Sequence, residues 1–215
     1  MPFVIAVDGP AASGKGTVAS RLAALYGYPY LDTGLLYRAV GMALLRAHHD
    51  LDDPIAAEAA ARLLDLKALA DPALRGAVAG EAASRTARHA GVRAALLELQ
   101  RVFADQEPGA VLDGRDIGTV IAPGADAKLY VTASPEVRAE RRWKQLTAQG
   151  EDISYPTVLD DIRRRDARDA GRDAAPMKPA PDAVLLDTTD LDIEAATDAA
   201  RRIVEAARAG RVFRP

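Results

Sequence analysis

The sequence contains no cysteine, and its histidines are limited to His48, His49 and His89. Without cysteine the chain can form neither a disulfide bond nor a thiolate metal site. The adjacent histidines cannot lie on one helix face, which argues against a histidine-based metal centre. The chemistry of this protein must therefore depend on other side chains.

Asparagine is also absent and lysine is scarce, because the 28 basic residues include only Lys15, Lys67, Lys128, Lys144 and Lys178 beside the arginines. A GTP-dependent switch recognises guanine with an Asn-Lys-x-Asp motif, which this chain cannot build. Arginine guanidinium groups suit bidentate contacts with phosphates and carboxylates. The net charge of −3 argues against general nucleic-acid binding.

Long apolar runs are missing as well, because Asp8 interrupts the first one and no basic segment precedes it. We expect no membrane interaction and a cytoplasmic location, and we expect the protein to be a monomer. Aromatic residues are 5% of the chain and hydrophobic residues 49%, so the core should be mainly aliphatic. The length of 215 residues suits one α/β domain with a small insertion or lid.

The strongest positive signal is a short glycine-rich stretch, formed by Gly9, Pro10, Ala11, Ala12, Ser13, Gly14, Lys15, Gly16 and Thr17. An apolar run at residues 3–7 predicts a buried strand before it, and residues 18–26 predict a helix closed by Gly27. This context indicates a phosphate-binding loop rather than a chance match. Backbone N–H groups and the helix N-terminus would face the phosphates, and Lys15 would supply a charge that can follow the β- and γ-phosphates.

The end of this loop departs from the general pattern, which has a hydroxyl residue for Mg²⁺ directly after the lysine. Here Gly16 follows Lys15, and the hydroxyl comes one residue later, at Thr17. We therefore expect Thr17 to be the Mg²⁺ ligand. A Gly-Lys-Gly-Thr ending is similar to nucleoside monophosphate kinases rather than to GTPases. The alternative is a glycine-rich turn that binds no ligand.

Apolar segments at residues 3–7, 28–32, 110–113, 127–131 and 183–187 predict strands. Helices are expected between them, at residues 18–26, 35–48, 53–66, 73–90, 92–103, 134–149, 157–170 and 193–207. Strands alternating with helices indicate an α/β fold whose parallel sheet is covered on both faces. Ligands bind beyond the carboxyl ends of such strands, where Asp8, Asp32 and residues 113–116 fall.

Three further motifs make a family resemblance specific. They are Leu-Asp-Thr-Gly-x-x-Tyr-Arg at residues 31–38, Asp-Gly-Arg-Asp-x-Gly-Thr-Val at 113–120 and Arg-Asp-x-Arg-Asp-x-x-Arg at 165–172. Together with the loop, they make the chain resemble the bacterial cytidylate kinases over nearly its whole length. The resemblance implies phosphorylation of CMP and dCMP by ATP, with Mg²⁺. It also implies a five-stranded parallel sheet with a core of about residues 1–34, 91–140 and 173–215, a nucleoside-monophosphate lobe of about 35–90 and a helical lid of about 141–172.

The resemblance also assigns acceptor-site roles to residues far apart in the sequence. It implies cytosine recognition by Thr33, Arg93 and Asp116, phosphate binding by Arg38 and Arg115, ribose contacts from Arg165 and Asp169, a phosphate contact from Arg172, and catalysis by Lys15, Arg115 and Arg172. A carboxylate suits the cytosine N4 amino group, whereas uracil presents an oxygen there. These residues should surround one site that includes Lys15.

Each assignment has a structural alternative. Asp116 could cap a turn, Arg38 and Arg115 could be solvated surface arginines, and Arg165 with Asp169 could form an i, i+4 ion pair on one helix face. Two departures from the family are Ala12, at a position that is glycine in many relatives, and the short segment 66–74, where many relatives carry a small β-sheet insertion.

Other functions remain open at this point. A related kinase could phosphorylate another small metabolite or nucleotide, as UMP/CMP kinases do. A nucleotide-dependent switch without guanine recognition is a second possibility, and RNA binding by the arginine cluster at residues 163–172 is a third.

Overall fold

The computed structural model describes residues 2–173 and 175–210. The strands are β1 (Phe3–Asp8), β2 (Tyr30–Asp32), β3 (Gly109–Gly114), β4 (Ala127–Thr132) and β5 (Val184–Asp187). The helices are α1 (Lys15–Tyr26), α2 (Thr33–Arg46), α3 (Pro54–Arg62), α4 (Ala77–Thr86), α5 (Ala90–Ala104), α6 (Pro135–Ala148), α7 (Tyr155–Ala170) and α8 (Ile193–Arg208). Within these residues no helix is long and apolar enough to cross a membrane.

The strands form one parallel sheet in the order β2-β3-β1-β4-β5. The predicted α/β class and the five-stranded parallel sheet are therefore confirmed. β1 lies at the centre, with Ile5 beside Val111 on one side and beside Ala127 on the other. Because all the strands point the same way, their carboxyl ends share one edge of the sheet.

Successive side chains of β1 point to opposite faces of the sheet, as strand geometry requires. Ile5 and Val7 belong to a buried cluster with residues of α1 and α8. Ala6 belongs to the opposite cluster, which contains residues of α2, α4 and α5. Both faces are covered, so the strand reads as a continuous apolar run in the sequence.

Helices α6 and α7 have a separate small core with Ala11 of the glycine-rich loop. Arg138 of α6 is buried and forms an ion pair with Asp166 of α7, with Nη2 2.6 Å from Oδ2. The same guanidinium donates to the carbonyl oxygen of Ala11 at 3.3 Å. This helical pair is therefore attached directly to the loop.

Several helix boundaries differ from those expected. The start signal Asp53-Pro54 is confirmed, because the Asp53 carboxylate accepts from Ile55 N and Ala56 N. The expected continuation to residue 66 is wrong, since α3 ends at Arg62 and short 3₁₀ turns at Leu66–Ala70 and Pro72–Arg75 lead to α4. The shortened segment is thus built from single turns.

The second difference concerns α7, for which Thr157 was the expected start. The helix begins at Tyr155, because Ser154 is the N-cap and its Oγ accepts from Thr157 N at 3.3 Å. Pro156 fits in the first turn, where a backbone N–H has no intrahelical partner. The helix ends at Ala170, as Gly171 suggested, so Arg172 lies just beyond it.

Candidate active site

The glycine-rich loop connects β1 to α1 and requires unusual backbone conformations. Gly9 has φ +148°, and a Cβ there would lie 2.0 Å from the carbonyl oxygen of Val131. Gly14 precedes α1 with φ +87° and no side-chain cap, so the first N–H groups of the helix stay available to a ligand. Ala12 adopts φ +59°, a left-handed conformation that glycine would adopt at lower cost. The loop therefore holds a strained backbone shape suited to phosphate.

One cavity of about 600 Å³ at the carboxyl edge of the sheet brings the predicted residues together. It is lined by Ala11, Ala12, Ser13, Gly14, Lys15, Gly16, Thr17, Thr33, Arg38, Arg93, Arg115, Asp116, Arg165, Asp169 and Arg172. Gly9 and Pro10 are buried instead. Arg38, Arg115 and Arg165 thus share a site with Lys15, although they come from α2, the end of β3 and α7.

Asp116 and Arg93 form a buried ion pair in this cavity. The Arg93 guanidinium carbon lies 5.7 Å from the centroid of the Tyr37 ring, which restricts its orientation. The Asp116 carboxylate does not cap the turn that follows it, Ile117–Ile121. The capping alternative is therefore wrong, and the pair presents an acceptor and a donor side by side.

Asp169 is the centre of a second buried ion pair network. Its Oδ2 lies 3.0 Å from Arg115 Nε, and its Oδ1 pairs with Arg172. These guanidinium groups hold the pKa of Asp169 below its usual value although burial opposes them. Asp169 does not form the alternative ion pair with Arg165 on the face of α7. It pairs with Arg115 and Arg172, which both lie outside that helix.

Arg38 and Arg165 bring positive charge to the middle of the cavity. A Cβ on Gly80 of α4 would lie 3.2 Å from Arg165 Nη1 and 3.5 Å from Arg38 Nη2, so both guanidinium groups approach the same point. Burial and neighbouring guanidinium groups lower the pKa of each to about 10. Arg38 donates to Leu74 O at 2.7 Å, while Arg165 Nε is buried without a partner among the described residues. A phosphate group would neutralise this charge.

The neighbouring arginines of α7 behave differently. Arg163 pairs with Glu136, Arg164 with Asp161 and Arg168 with Glu81, all at the surface. The basic cluster seen in the sequence is therefore largely neutralised outside the cavity. These ion pairs reduce the positive charge that the cluster presents to solvent.

An acidic group to which the sequence motifs assign no role lies beside Lys15. The Oδ1 atom of Asp113 accepts from Tyr30 Oη at 3.0 Å, and its Oδ2 would lie 3.4 Å from a Cβ on Gly16. Burial raises the pKa of Asp113, assisted by Asp32, whereas burial and Arg115 lower the pKa of Lys15. The position of Asp113 and Asp32 at strand ends is the sequence signal for this group, but that position alone does not assign a role.

Two further side chains in the cavity, Arg142 and Ser84, were not predicted from the sequence to belong to the site. Arg142 of α6 donates through Nη2 to Gly76 O at 3.1 Å, and burial lowers its pKa to about 10. Ser84 of α4 is buried, with its Oγ 3.5 Å from Asp169 Oδ1. Arg142 lay within the expected lid, but nothing in the local sequence distinguishes Ser84.

Thr33 lines the cavity, but its hydroxyl already has a partner. Thr33 Oγ1 donates to the carbonyl oxygen of Asp113 at 2.8 Å and so ties the start of α2 to the end of β3. The hydroxyl oxygen retains lone pairs for a ligand, while its proton is used within the fold.

Comparisons with known proteins agree on one family. The family model described as cytidylate kinase matches residues 5–207. The cytidylate kinase of Caulobacter vibrioides (strain NA1000 / CB15N) is 73% identical over 209 residues, which are 97% of this chain and 98% of that protein. The cytidylate kinase of Xanthobacter autotrophicus is 65% identical over 97% of this chain and 100% of that protein.

Solved structures support the fold alone. An uncharacterized protein from Eubacterium ventriosum has a TM-score of 0.55 at 14% identity, covering 96% of this chain and 99% of that one. A gluconokinase from Sinorhizobium meliloti has a TM-score of 0.50 at 18% identity, covering 97% and 93%.

Proposed function

This chain belongs to the cytidylate kinase family, and we propose that it transfers the γ-phosphoryl group of ATP to CMP and dCMP, giving CDP and dCDP. The observation that carries the proposal is the shared cavity, in which the loop around Lys15 faces the Arg93–Asp116 pair and the buried arginines. A phosphate oxygen of CMP forms the new bond to the γ-phosphorus, the bond to the β–γ bridging oxygen breaks, and ADP leaves. Such a reaction needs positioning and charge neutralisation rather than a covalent intermediate.

The two sides of the cavity divide this work. Loop residues 9–17 bind the ATP phosphates through backbone N–H groups, the N-terminus of α1 and the Lys15 ammonium. Arg38 and Arg115 hold the CMP phosphate, and Arg172 neutralises charge on the transferring group. Arg165 and Asp169 contact the ribose, as the family resemblance implies, and the Arg165 guanidinium is close enough to Arg38 to add positive charge beside the phosphate. The Asp169 carboxylate orients Arg115 and Arg172 before any substrate arrives. Ordered guanidinium groups lose less entropy when they bind phosphate.

Base recognition belongs to Arg93 and Asp116, with Thr33 nearby. The Asp116 carboxylate accepts from the N4 amino group of cytosine, and Arg93 donates to acceptors on the same base edge. Uracil would place an oxygen against the carboxylate and leave a buried acceptor unpaired, which is energetically unfavourable. The site therefore favours cytosine over uracil.

The residues at the loop also fit Mg²⁺. The described residues contain no cluster of three or more His, Asp or Glu side chains positioned for a metal. Kinase sites commonly hold Mg²⁺ with one or two carboxylates, the substrate phosphates and water, so such a cluster is not needed. Thr17 and Asp113 are the oxygen donors that would hold it, and the ion would supply charge neutralisation at the phosphates.

The helices α6 and α7 serve as the proposed lid, residues 141–172, over the lobe formed by residues 35–90. Among the contacts that join them, Arg142 Nη2 donates to Gly76 O at 3.1 Å, Ala77 N donates to Glu151 Oε1 at 3.2 Å, and Arg168 pairs with Glu81. A closed lid excludes water, which would otherwise accept the phosphoryl group from ATP.

The test is an acceptor panel with ATP consumption as the readout. CMP, dCMP, UMP, AMP and shikimate are offered separately at equal concentration, and CMP and dCMP should have the highest kcat/KM. If another acceptor is clearly preferred over both, the proposed function is wrong and the chain is a related kinase of different specificity.

A further inference from the structure

Asp8 is a buried carboxylate that none of the proposed roles uses. It is the last residue of β1, directly before Gly9, and is only 4% exposed. Its Oδ1 accepts from Ile117 N at 2.7 Å and its Oδ2 from Gly118 N at 2.8 Å. A side chain next to the donor loop therefore binds a backbone segment 109 residues further along the chain.

The two N–H groups belong to the start of a short π-helical turn, Ile117–Ile121. The first N–H groups of any helical turn lack intrahelical acceptors. In this turn Val120 N and Ala122 N donate to the carbonyl oxygens of Asp116 and Ile117, whereas within the described part of the chain the acceptor for Ile117 N and Gly118 N is the Asp8 carboxylate. Both residues are buried, so without Asp8 two donors would be unpaired in the interior.

This turn follows directly on the residues that face the acceptor. Asp116 is paired with Arg93 and Arg115 with Asp169, and the next two backbone N–H groups are those that Asp8 binds. We propose that Asp8 is a positioning residue for the acceptor site, whose carboxylate holds this turn so that Asp116 and Arg115 face the CMP. Cytosine selectivity then depends on a residue of the strand that leads into the ATP loop. The inference rests on the proposed CMP kinase activity and names a further residue that the activity requires.

A charged side chain at position 8 is energetically unfavourable because the site is buried, so the presence of Asp8 there needs an explanation. Burial raises the pKa of Asp8 to about 6, although the bonds from Gly118 and Ile117 oppose the shift. Asp116 and Arg115 act on it from the same turn, and Tyr130 of β4 also interacts with it. Lys128 of β4 is nearby, but its Nζ donates to Pro123 O and the Asp182 carboxylate.

Only an ionised carboxylate can accept from both N–H groups at once. Protonation converts one oxygen to a donor, and the amide of asparagine would set its NH₂ group against one of the N–H donors. The pair of hydrogen bonds to the turn therefore requires the ionised form of Asp8 despite its burial.

The first test compares Asp8→Asn with a matched control at the opposite end of the same strand. Asp126 Oδ2 accepts from Val4 N at 2.8 Å, at the other end of β1, so Asp126→Asn also replaces a carboxylate that binds the backbone, in this case an exposed one that does not bind the acceptor turn. For Asp8→Asn we expect kcat/KM for CMP to fall about tenfold and the CMP:UMP ratio to narrow, with the KM for ATP changed less than about twofold. Asp126→Asn should leave all three unchanged. An unchanged CMP:UMP ratio, or equal changes in the two KM values, would overturn the proposal.

A second test needs only the wild-type chain and so does not depend on the variant folding. NMR should show the Ile117 and Gly118 amides protected from exchange and titrating with a midpoint near pH 6. The CMP:UMP ratio should fall through the same midpoint as the pH is lowered, since the monophosphate groups of CMP and UMP titrate alike and cancel. The positioning role would be contradicted if the two amide resonances did not titrate, or if the CMP:UMP ratio did not change over the pH range in which they titrate. The NMR measurement requires no catalysis and therefore tests the interaction of Asp8 with the turn by itself. A wild-type chain that does not phosphorylate CMP would refute the proposed function, and this outcome is separate from the NMR result.

Discussion

The donor and acceptor sides of the cavity are built in opposite ways. The proposed donor side is one contiguous stretch, residues 9–17, which offers mainly backbone N–H groups at the start of α1. The acceptor side gathers side chains from α2, α4, α5, the end of β3 and α7. The comparison teaches that a phosphate site can be specified locally, whereas a site that distinguishes one base from another needs residues from several elements.

The two sides also differ in how they manage charge. On the proposed donor side, the positive charge comes from Lys15 and the N-terminal end of α1. The acceptor side holds several buried guanidinium groups, and the carboxylates of Asp116 and Asp169 sit between them. Paired arginines are oriented in advance, while the lowered pKa values of Arg38 and Arg165 mark the unpaired charge that a substrate phosphate would neutralise.

The largest expected effect tests the donor side. Lys15→Ala removes the charge that follows the transferring phosphate, and we expect kcat to fall about 10³-fold or more with an unchanged circular dichroism spectrum. Lys144→Ala is the matched control, because Lys144 is exposed and pairs only with Glu140 on the same helix. Near-normal turnover in the Lys15 variant would show that the loop does not bind the ATP phosphates as proposed.

The next effect tests the acceptor side with two adjacent arginines. Arg165→Ala removes a buried guanidinium group from the cavity, and we expect kcat/KM for CMP to fall about 10²-fold. Arg164→Ala removes an exposed group paired with Asp161, and such surface pairs contribute at most about 1 kcal/mol. Steady-state kinetics at saturating ATP would separate the two, and similar losses in both variants would contradict the assignment.

Asp116→Asn is expected to have a smaller effect, on selectivity rather than rate. An amide can donate to the uracil oxygen, so the CMP:UMP ratio of kcat/KM should narrow about tenfold while the KM for ATP stays constant. Competition assays with both acceptors present would measure the ratio directly. A ratio equal to that of the wild type would mean that other groups recognise the base.

The smallest expected effect concerns Thr33, whose hydroxyl joins the start of α2 to the end of β3. Thr33→Val removes the bond to Asp113 O, and we expect the free energy of unfolding to fall by about 1 kcal/mol. The KM for CMP should rise only a few-fold, because the hydroxyl proton is used within the fold. Denaturant unfolding and kinetics on the same preparation would distinguish a structural hydroxyl from one that dominates base recognition.

The fold, and the grouping of most proposed site residues in one cavity, could be predicted because their signals are local or carried by motifs. Strand runs, the Asp53-Pro54 cap and the glycine-rich loop each depend on neighbouring residues. The start of α7 was missed because two hydroxyl residues, Ser154 and Thr157, lie three positions apart, and only the backbone shows that the first is the cap. Asp113 was seen at a strand end, but its partner Tyr30 could not be identified without the pairing of β2 with β3.

By itself the sequence determined the parallel α/β sheet and the nine-residue phosphate loop, because strand alternation and glycine conformations act over a few residues. Tertiary structure alone decided that Asp169 pairs with Arg115 and Arg172 rather than Arg165, and that Asp8 holds the turn after Asp116. The physical reason is that a buried carboxylate takes whichever donors the packing brings within about 3 Å. Most of those donors lie far from the carboxylate along the chain, so their identity cannot be deduced from the spacing of residues in the sequence.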